Sequence, residues 1–522
     1  MSEHTLLTSR DDNLGDLLAA PAPLGLGNAI RYDHSRQQWY AWSGIRWQAD
    51  RARVFDLVRR LTFAWWRASD EDLSPSSLGD EDERLCALLT DASWLKRPGD
   101  FRKALMPLFD TAKKESVLRG LANREGFAMH GDEWDRNAWQ LCCANGIVDL
   151  RDGSFSPVGD PNDLITLSTG IEYDPDAPTP SVFLQNLAEI TAQADGTPDP
   201  DTANHLLKLL GYALWGDKSE EVFAEWIGHG GNGKGKVKDL LLYVLGDYAH
   251  ALPPGFYTQP KWGAPPASAP RPELLDIQGK RIAFDSEPEG GDLNIWRIKK
   301  HSGRDQEKAR DLYGKRENYV TFVPSHLIVL LTNDVLKVDK VDPALERRLL
   351  VYPFDRRFDM DTEPVADTGR LDAMKAEARG ILKLLVYACG IWYREGLADG
   401  AKRRLVFRAT LTERMKLATG AYLAANDPFR AAIESHFVRA AKAWEGTSGL
   451  YQTYQDWYAQ ALRDDPDSTG KMLSRLDFKK KLVSGYGLIE KRHGDQGVRG
   501  FGGIRSKPFA DRPIDQGETD DS

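Results

Sequence analysis

Nine residues in the middle of the chain have the composition of a phosphate-binding loop. They read Gly-His-Gly-Gly-Asn-Gly-Lys-Gly-Lys over 228–236, with glycine and lysine at the spacing G-x-x-x-x-G-K. Glycines let successive backbone N–H groups turn towards a polyphosphate, and the lysine adds a positive charge beside its outer oxygens. The pattern predicts a nucleotide-binding loop whose contacting residues are Gly228, Gly230, Gly231, Asn232, Gly233, Lys234, Gly235 and Lys236.

The elements on either side of this loop support the prediction. The apolar run 222–227 is typical of a buried strand, and residues 237–245 have the pattern of an amphipathic helix whose N-terminus would face the phosphates. One position departs from the motif, because Gly235 stands where a Ser or Thr hydroxyl normally contacts Mg²⁺. A glycine-rich connector that happens to contain lysine is the alternative for the loop taken alone.

Acidic side chains follow a second apolar strand, within residues 279–291. Asp285, Glu287 and Glu289 lie where this strand ends. Carboxylates at the end of a buried strand are costly unless they meet a cation, so we expect Asp285 and Glu287 to hold Mg²⁺ and Glu287 to act in catalysis. A strand that simply runs into an acidic turn remains the alternative.

Two later strands carry further catalytic candidates. The apolar run that begins at Leu327 ends in Asn333, which would lie beside the phosphates at the carboxyl edge of a parallel sheet and orient the attacking water. Arg347 and Arg348 precede the strand over 349–354, and from there an arginine could reach the nucleotide of a neighbouring subunit. Surface salt bridges are the alternative role for this arginine pair.

Basic residues in two regions predict contacts with DNA. Residues 309–322 are predicted to form a hairpin tipped by Lys315 and Arg316, preceded by Lys299 and Lys300. Between 471 and 505, nine Lys or Arg stand against three acids in a helix-loop-helix-hairpin pattern. We expect Lys479, Lys480 and Lys481 to bind DNA there, with a solvated helix face as the alternative.

The order of these motifs resembles the superfamily 3 helicases, in particular the phage- and plasmid-type primase-helicases related to the poxvirus nucleoside triphosphatase. Lys234 matches the phosphate-loop lysine and Asn333 the sensor asparagine. Ser286-Glu-Pro-Glu-Gly290 resembles the acidic motif, residues 299–310 resemble K-x-x-[TS]-G-x-D-x-x-x-x-R, and Arg347-Arg348 the R-R before I-P-F. The likeness covers roughly residues 25–505, and upstream segments such as 145–150 resemble the domain that precedes the ATPase.

The resemblance implies an AAA+-like ATPase that forms a ring, usually a hexamer, and moves along DNA in the 3′ to 5′ direction with ATP and Mg²⁺. Many relatives carry an N-terminal primase, but the segment before the ATPase matches the helical domain instead, so no primase is expected here. A separate primase or polymerase would be a further partner. The element served would be a phage, a plasmid or another mobile element.

The expected fold is a multidomain α/β protein. Its predicted parts are a flexible leader (1–25), an N-terminal α+β and helical domain (26–215), the superfamily 3 AAA+-like P-loop core (216–357), a helical segment (358–430), a winged-helix-like domain (431–505) and a disordered acidic tail (506–522).

Composition limits the classes of function. A net charge of −9 over 522 residues excludes a uniformly basic nucleic-acid coat, so DNA contacts must come from local patches. The apolar runs are too short for a membrane span, the N-terminus has no signal-peptide pattern, and the four cysteines form no C-x-x-C pair. We therefore expect no membrane partner. The resemblance to phage- and plasmid-type proteins implies a location in the cytoplasm of a bacterial host cell.

Two other functions fit the same motifs. The chain could be an initiator that ATP assembles on an origin and that the C-terminal segment holds there, with little unwinding of its own. It could also be a nucleotide-gated assembly with slow hydrolysis, which only Gly235 favours.

Overall fold

A computed structural model describes most of the chain. The described residues are 11–20, 25–69, 98–259, 271–286, 292–309, 319–338, 341–358, 369–397, 405–464, 472–493 and 497–508. Four residues singled out by the sequence lie outside these ranges, namely Glu287, Glu289, Lys315 and Arg316.

The first part of the chain folds around an apolar core of its own. Its elements are α1 (Asp11–Leu18), β1 (Ile30–Asp33), β2 (Gln38–Trp42), β3 (Trp47–Ala49), α2 (Arg51–Ala68), α3 (Pro98–Leu105), a 3₁₀ turn (Met106–Phe109), α4 (Thr111–Leu121) and β4 (Ala128–Met129). The strands form one sheet in the order β3-β2-β1-β4, with β1 antiparallel to β2 and parallel to β4. The helices cover one face of this sheet and bury Trp39, Val58 and Leu118 between them.

Helix α1 differs from the flexible leader expected over residues 1–25. Leu14, Leu17 and Leu18 are almost completely buried in the core of the N-terminal part. Their spacing of three and four residues puts them on one helix face, which explains why this segment folds. Ion pairs of Asp11 with Lys113 (2.5 Å) and Asp16 with Arg124 (2.6 Å) hold the helix against its neighbours.

The next segment is an antiparallel meander followed by two helices. Its elements are β5 (Gln140–Cys143), β6 (Gly146–Asp149), β7 (Phe155–Ser156), a 3₁₀ turn (Pro161–Asp163), α5 (Ser181–Ile190) and α6 (Pro200–Tyr212). Asp199 caps α6 by accepting a hydrogen bond from the backbone N–H of Thr202 at 3.0 Å.

The central part is a parallel sheet with helices on both faces. Its elements are β8 (Phe223–Ile227), α7 (Lys234–Leu245), a 3₁₀ turn (Gly246–Tyr248), β9 (Ala249–Ala251), α8 (Pro272–Leu275), β10 (Ile282–Ser286), α9 (Ile295–Ser302), β11 (Glu307–Ala309), β12 (Val320–Phe322), β13 (Leu327–Thr332), α10 (Pro343–Glu346) and β14 (Leu349–Pro353). Five strands form the sheet in the order β14-β8-β13-β10-β9, and all neighbours are parallel. Parallel sheets are covered on both faces, which explains the almost continuous apolar runs of these strands.

The expected boundary at residue 215 does not separate two cores. Leu206 and Leu209 of α6 share one apolar core with Val237 and Leu241 of α7. In the same region the buried Arg281 guanidinium donates to the backbone oxygens of Asn137 (3.2 Å), Ala138 (2.8 Å) and Gln140 (3.1 Å), where the meander begins. The segment from about residue 137 to residue 212 is therefore built into the same body as the parallel sheet.

Helices and a small sheet complete the chain. The helices after β14 are α11 (Gly369–Ala376), α12 (Ala378–Leu397), α13 (Val406–Ala409) and α14 (Glu413–Asn426). The C-terminal part consists of α15 (Pro428–His436), β15 (Phe437–Gly446), α16 (Thr447–Asp464), α17 (Arg475–Tyr486), β16 (Glu490–His493) and β17 (Val498–Ser506). Its strands pair in the order β15-β17-β16, and Phe429, Phe478 and Phe501 form its core.

Candidate functional site

The glycine-rich loop joins the carboxyl end of β8 to the first turn of α7, as predicted from its sequence. Gly228 packs so tightly that a Cβ there would lie 2.2 Å from the backbone oxygen of Phe354. Gly233 has a φ of +84°, and a Cβ would lie 2.7 Å from Cγ2 of Ile190. Only glycine fits these two positions, so the loop conformation depends on its composition.

Lys234 begins α7 and is almost completely buried. Its ammonium group donates to the backbone oxygen of Gly228 and, at 2.7 Å, to that of Thr332 at the end of β13. The lysine thus joins the loop to the neighbouring strand at the carboxyl edge of the sheet. In parallel sheets with helices on both faces, ligands bind in the crevice at this edge.

Glu225 lies in the middle of β8, beneath the loop, and is completely buried. Burial raises the pKa of its carboxyl group to about 8, although the hydrogen bond from Thr332 and the charge of Lys234 oppose the shift. The Thr332 hydroxyl donates to Oε1 at 3.0 Å. This residue was not among the predicted site residues, and its only sequence signal is an acid inside an apolar strand.

Asn333 follows β13 directly and is exposed. The backbone N–H of Gly228 donates to the backbone oxygen of Thr332 at 3.1 Å, so Asn333 and the start of the loop are close neighbours. The structure therefore brings together the loop, Lys234 and Asn333.

Asp285 does not join this group. It ends up fully buried at the carboxyl end of β10, where it accepts hydrogen bonds from the backbone N–H groups of Gly255 (3.0 Å) and Tyr257 (2.8 Å). Burial raises the pKa of its carboxyl group, and these two hydrogen bonds offset part of the shift. Its oxygens thus organise the loop after β9, which differs from the expected role as a Mg²⁺ ligand. Among the described residues, no group of three or more His, Cys, Asp and Glu side chains is arranged for a metal ion.

The two arginines before β14 have different environments. The Arg348 side chain is 9% exposed and donates to Glu221 at 2.8 Å and to the backbone oxygen of Ala344 at 3.1 Å. The Arg347 side chain is 63% exposed and lies 3.6 Å from Glu221. Because β8 and β14 are parallel, both arginines lie at the amino edge, about one strand length, roughly 16 Å, from the loop of the same chain.

Buried polar contacts surround the base of the β11–β12 hairpin. Glu307, at the start of β11, bonds to His301 (2.9 Å) and Lys300 (2.9 Å). Burial would raise the pKa of Glu307, but the hydrogen bonds from His301 and Lys300 outweigh it and lower the value to about 2. Lys299 bonds to Asp342. Lys299 and Lys300, predicted to contact DNA, are thus engaged by acids of the same chain.

The predicted DNA-binding lysines of α17 also have acidic partners. Lys479 bonds to Glu490 (2.7 Å), Lys480 to Asp477 (3.3 Å) and Lys481 to Asp427 (3.1 Å). The hairpin that follows them is different, since Arg492 on β16 stands directly opposite Arg499 on β17, and both are exposed. Like charges in opposite positions destabilise a strand pair, so this arrangement favours an anionic partner.

Within the part of the chain that the structure describes, none of the helices combines the length and the apolar character that crossing a bilayer requires.

Comparison with known proteins identifies similar viral proteins. Residues 22–192 match the family described as "D5 N terminal like". The chain is 30% identical over 344 residues to "Putative helicase L207/L206" of Acanthamoeba polyphaga mimivirus. This alignment covers 62% of this chain and 33% of the relative. It is 23% identical over 411 residues to "Putative helicase 022R" of Frog virus 3, covering 62% and 41%. A third relative is "Putative primase C962R" of African swine fever virus, 25% identical over 279 residues and covering 51% and 28%.

These matches relate the chain to primase-helicase-like proteins of viruses, and the chain spans about a third of the length of the relatives it matches. Among solved structures, the C-terminal region of NrS-1 covers 75% of this chain and 90% of its own, with 11% identity and a TM-score of 0.41. The relatives come from viruses of eukaryotes, and the bacterial host cell expected above stays a prediction.

Proposed function

We propose that the chain is an ATP-dependent DNA helicase or translocase that works as a ring in the replication of a viral or other mobile element. The observation that carries the proposal is the unit formed by β8, the glycine-rich loop and α7, whose buried Lys234 meets the end of β13 beside Asn333. The similarity to viral proteins named as helicases and primases supports the same function.

The loop suits the polyphosphate of ATP. Gly230 and Gly235 have open space where a side chain would be, since a Cβ at either position meets nothing within 4 Å. The backbone N–H groups of 230–235, the N-terminus of α7 and the Lys234 ammonium would hold the phosphates. With Mg²⁺, bound ATP supplies the phosphoryl group whose hydrolysis drives movement. Asn333 would then orient the attacking water from the neighbouring strand end.

The proposed metal ligands need one change from the sequence prediction. Gly235 offers no hydroxyl, and Asp285 is occupied by two backbone N–H groups. Glu287 is therefore our candidate for the acid that holds Mg²⁺ and polarises water, with the remaining ligands supplied by water. Asp285 would position the carboxyl end of β10, two residues before Glu287 in the sequence.

Arg347 is our candidate for an arginine that acts on the neighbouring subunit. Its position at the amino edge of the sheet keeps it from the loop of its own chain, and its side chain is largely exposed. In a closed ring, each copy would present this edge to the nucleotide of the next copy. Arg348, buried against Glu221, would hold the local backbone rather than contact ATP.

Contacts with DNA are proposed at the hairpin tip and at the C-terminal hairpin. The ends of the first hairpin pair as β11 and β12, and Lys315 and Arg316 would form its tip facing the channel. At the C-terminal part, the order helix, strand, helix, helix, hairpin supports a winged-helix domain in which Arg492 and Arg499 face DNA.

One observation favours a second candidate function. The opposed Arg492 and Arg499 would serve an origin-binding initiator as well as a helicase, because a duplex contact requires no unwinding. In that case duplex binding would depend on these arginines and not on Lys234. The slow nucleotide-gated assembly remains the third candidate, on the basis of Gly235 alone.

The test is DNA-stimulated ATP hydrolysis together with strand separation on a forked duplex, measured for the wild type and for Lys234→Ala. We expect the wild type to do both and the variant to do neither while keeping its fold. Light scattering with ATP analogue and forked DNA should give the mass of a closed ring. If the wild type binds duplex DNA but neither hydrolyses ATP nor separates strands, the helicase proposal is wrong and the initiator function takes its place.

A further inference from the structure

An open groove lies in the N-terminal part, far along the chain from the glycine-rich loop. It has a volume of about 610 Å³, within the range of about 300–1,000 Å³ of small-ligand sites. One wall is the β1–β2 hairpin and the other is formed by α4 and the start of α2. None of the motifs identified in the sequence falls in this groove.

Aromatic rings form part of its lining. Tyr32 and Trp39 stand side by side on the two strands, with ring centroids 5.0 Å apart, and Phe55 extends from α2. Tyr32 and Phe55 are only partly buried, so their rings retain accessible surface. Aromatic rings exposed in a groove provide surfaces on which nucleobases stack, whatever their sequence.

Cationic groups outnumber acids in the lining. Arg36, Arg51 and Arg119 stand against one carboxylate, Glu115, to which Arg51 donates at 2.6 Å. Arg36 donates to Gln278 at 2.8 Å, and Arg119 is exposed on α4. In a chain of net charge −9, this local excess of positive charge attracts phosphates.

The groove also lies next to the base of the β11–β12 hairpin. The backbone N–H of Gly131 donates to the Ser35 hydroxyl at 3.2 Å, on the turn that lines the groove. Gly131 itself packs on β12, because a Cβ there would lie 3.1 Å from Cγ2 of Val320. A strand held by that hairpin would have a short path into the groove.

We propose that this groove binds a short segment of single-stranded nucleic acid. Bases stack on the partly exposed rings of Tyr32 and Phe55. Phosphates meet Arg119 and, in place of Glu115, Arg51. The choice of ligand rests on the proposed function, whereas the groove itself does not involve ATP. In a ring, this groove would bind the separated strand at a site outside the central channel.

The test measures binding of fluorescein-labelled (dT)₂₀ to the full chain by anisotropy, without nucleotide, for Arg51→Ala/Arg119→Ala. Each phosphate contact on a single strand contributes about 0.7 to the slope of log K against log salt. Losing two contacts should reduce the slope by about 1.4 and weaken binding about 25-fold at 0.1 M salt. The matched control is Arg59→Ala/Arg60→Ala, two exposed arginines on α2 that pair with Asp56 and do not line the groove.

A second pair of variants tests stacking. Tyr32→Phe should bind (dT)₂₀ like the wild type, and Tyr32→Leu should bind roughly fivefold or more weakly, since a stacked base contributes at least about 1 kcal/mol. An unchanged affinity and salt slope in Arg51→Ala/Arg119→Ala would overturn the proposal. It would also be overturned by an equal loss in the control, or by an equal loss of binding to a 20-base-pair duplex.

This result is separable from that of the helicase test. If the wild type proves inactive as a helicase but the groove variants lose affinity for (dT)₂₀, the groove proposal stands and the helicase proposal is wrong. If hydrolysis and strand separation occur but the groove variants bind normally, the motor holds and the groove proposal fails.

Discussion

Replacing the buried Glu225 by glutamine should change how the stability of the protein depends on pH. The pKa of this carboxyl group is about 8 in the folded chain, against 4.5 as its ordinary value. Each unit corresponds to about 1.4 kcal/mol, so the folded state disfavours the ionised form by at most about 5 kcal/mol. Glutamine has the same shape and keeps an oxygen to accept the Thr332 hydroxyl.

The sign of the effect follows from the raised pKa. Below pH 4.5 the carboxyl group is neutral in both states and costs nothing. Between pH 4.5 and about 8 the unfolded chain is ionised while the folded chain is still protonated, so wild-type stability falls as the pH rises. Above about 8 the loss is complete. The Glu225→Gln variant lacks this loss. The free energy of unfolding of the variant minus that of the wild type should therefore increase from pH 5 to pH 8 and then stay constant.

The assay is thermal unfolding followed by tryptophan fluorescence at pH 5, 6, 7, 8 and 9. A difference of 1 kcal/mol moves Tm by roughly 2–4 °C in a domain of 150–250 residues, so the separation should reach several degrees by pH 8. Glu413→Gln is the control, because it makes the same chemical change at a side chain that is 85% exposed. Parallel pH curves for the wild type and Glu225→Gln would refute the assignment of a neutral buried carboxyl group.

Three further predictions concern the proposed site and the DNA contact. Arg347→Ala should lower ATP hydrolysis by the assembled ring by about 10³-fold without changing Tm. Arg348→Ala should instead lower the free energy of unfolding by roughly 1–3 kcal/mol, because it removes a buried partner of Glu221; equal losses of Tm in both variants would contradict this difference. Gly235→Ser should lower the Mg²⁺ concentration needed for half-maximal hydrolysis, since its Cβ meets no atom within 4 Å, and an unchanged Mg²⁺ titration would show that the hydroxyl finds no metal there. Arg492→Ala/Arg499→Ala should reduce the salt slope of duplex binding by about 1.8 while raising Tm slightly, because two opposed charges disappear; no change in slope would remove the hairpin from the DNA contact.

The central strand, loop and helix could be predicted because local sequence determines them. A buried parallel strand needs a continuous apolar run, and the turn at Gly228 and Gly233 admits no other residue. The position of Asn333 followed from the same reasoning, since it ends the strand that pairs with β8. Helix α1 was missed although its leucines have helical spacing, because Pro21 and Pro23 made the whole segment resemble an unstructured leader.

The remaining features depend on contacts between distant residues. Asp285 receives its hydrogen bonds from a loop about 30 residues earlier in the chain, and the sequence around Asp285 does not predict this contact. Counting charges predicted Lys481 to be available to DNA, but Asp427 reaches it from 54 residues away. The neutral state of Glu225 likewise depends on burial by neighbouring strands and helices, which sequence order alone does not reveal.

The anchoring of Arg281 has a practical consequence for dissecting this protein. A fragment that starts at residue 216 would lose the carbonyl groups of Asn137, Ala138 and Gln140, which accept hydrogen bonds from the guanidinium. It would also lack Leu206 and Leu209 of α6, which belong to the same apolar core as Val237 and Leu241 of α7. Such a fragment should therefore aggregate, while one that begins before Asn137 keeps these contacts. Any movement of the parallel sheet must also carry the meander with it.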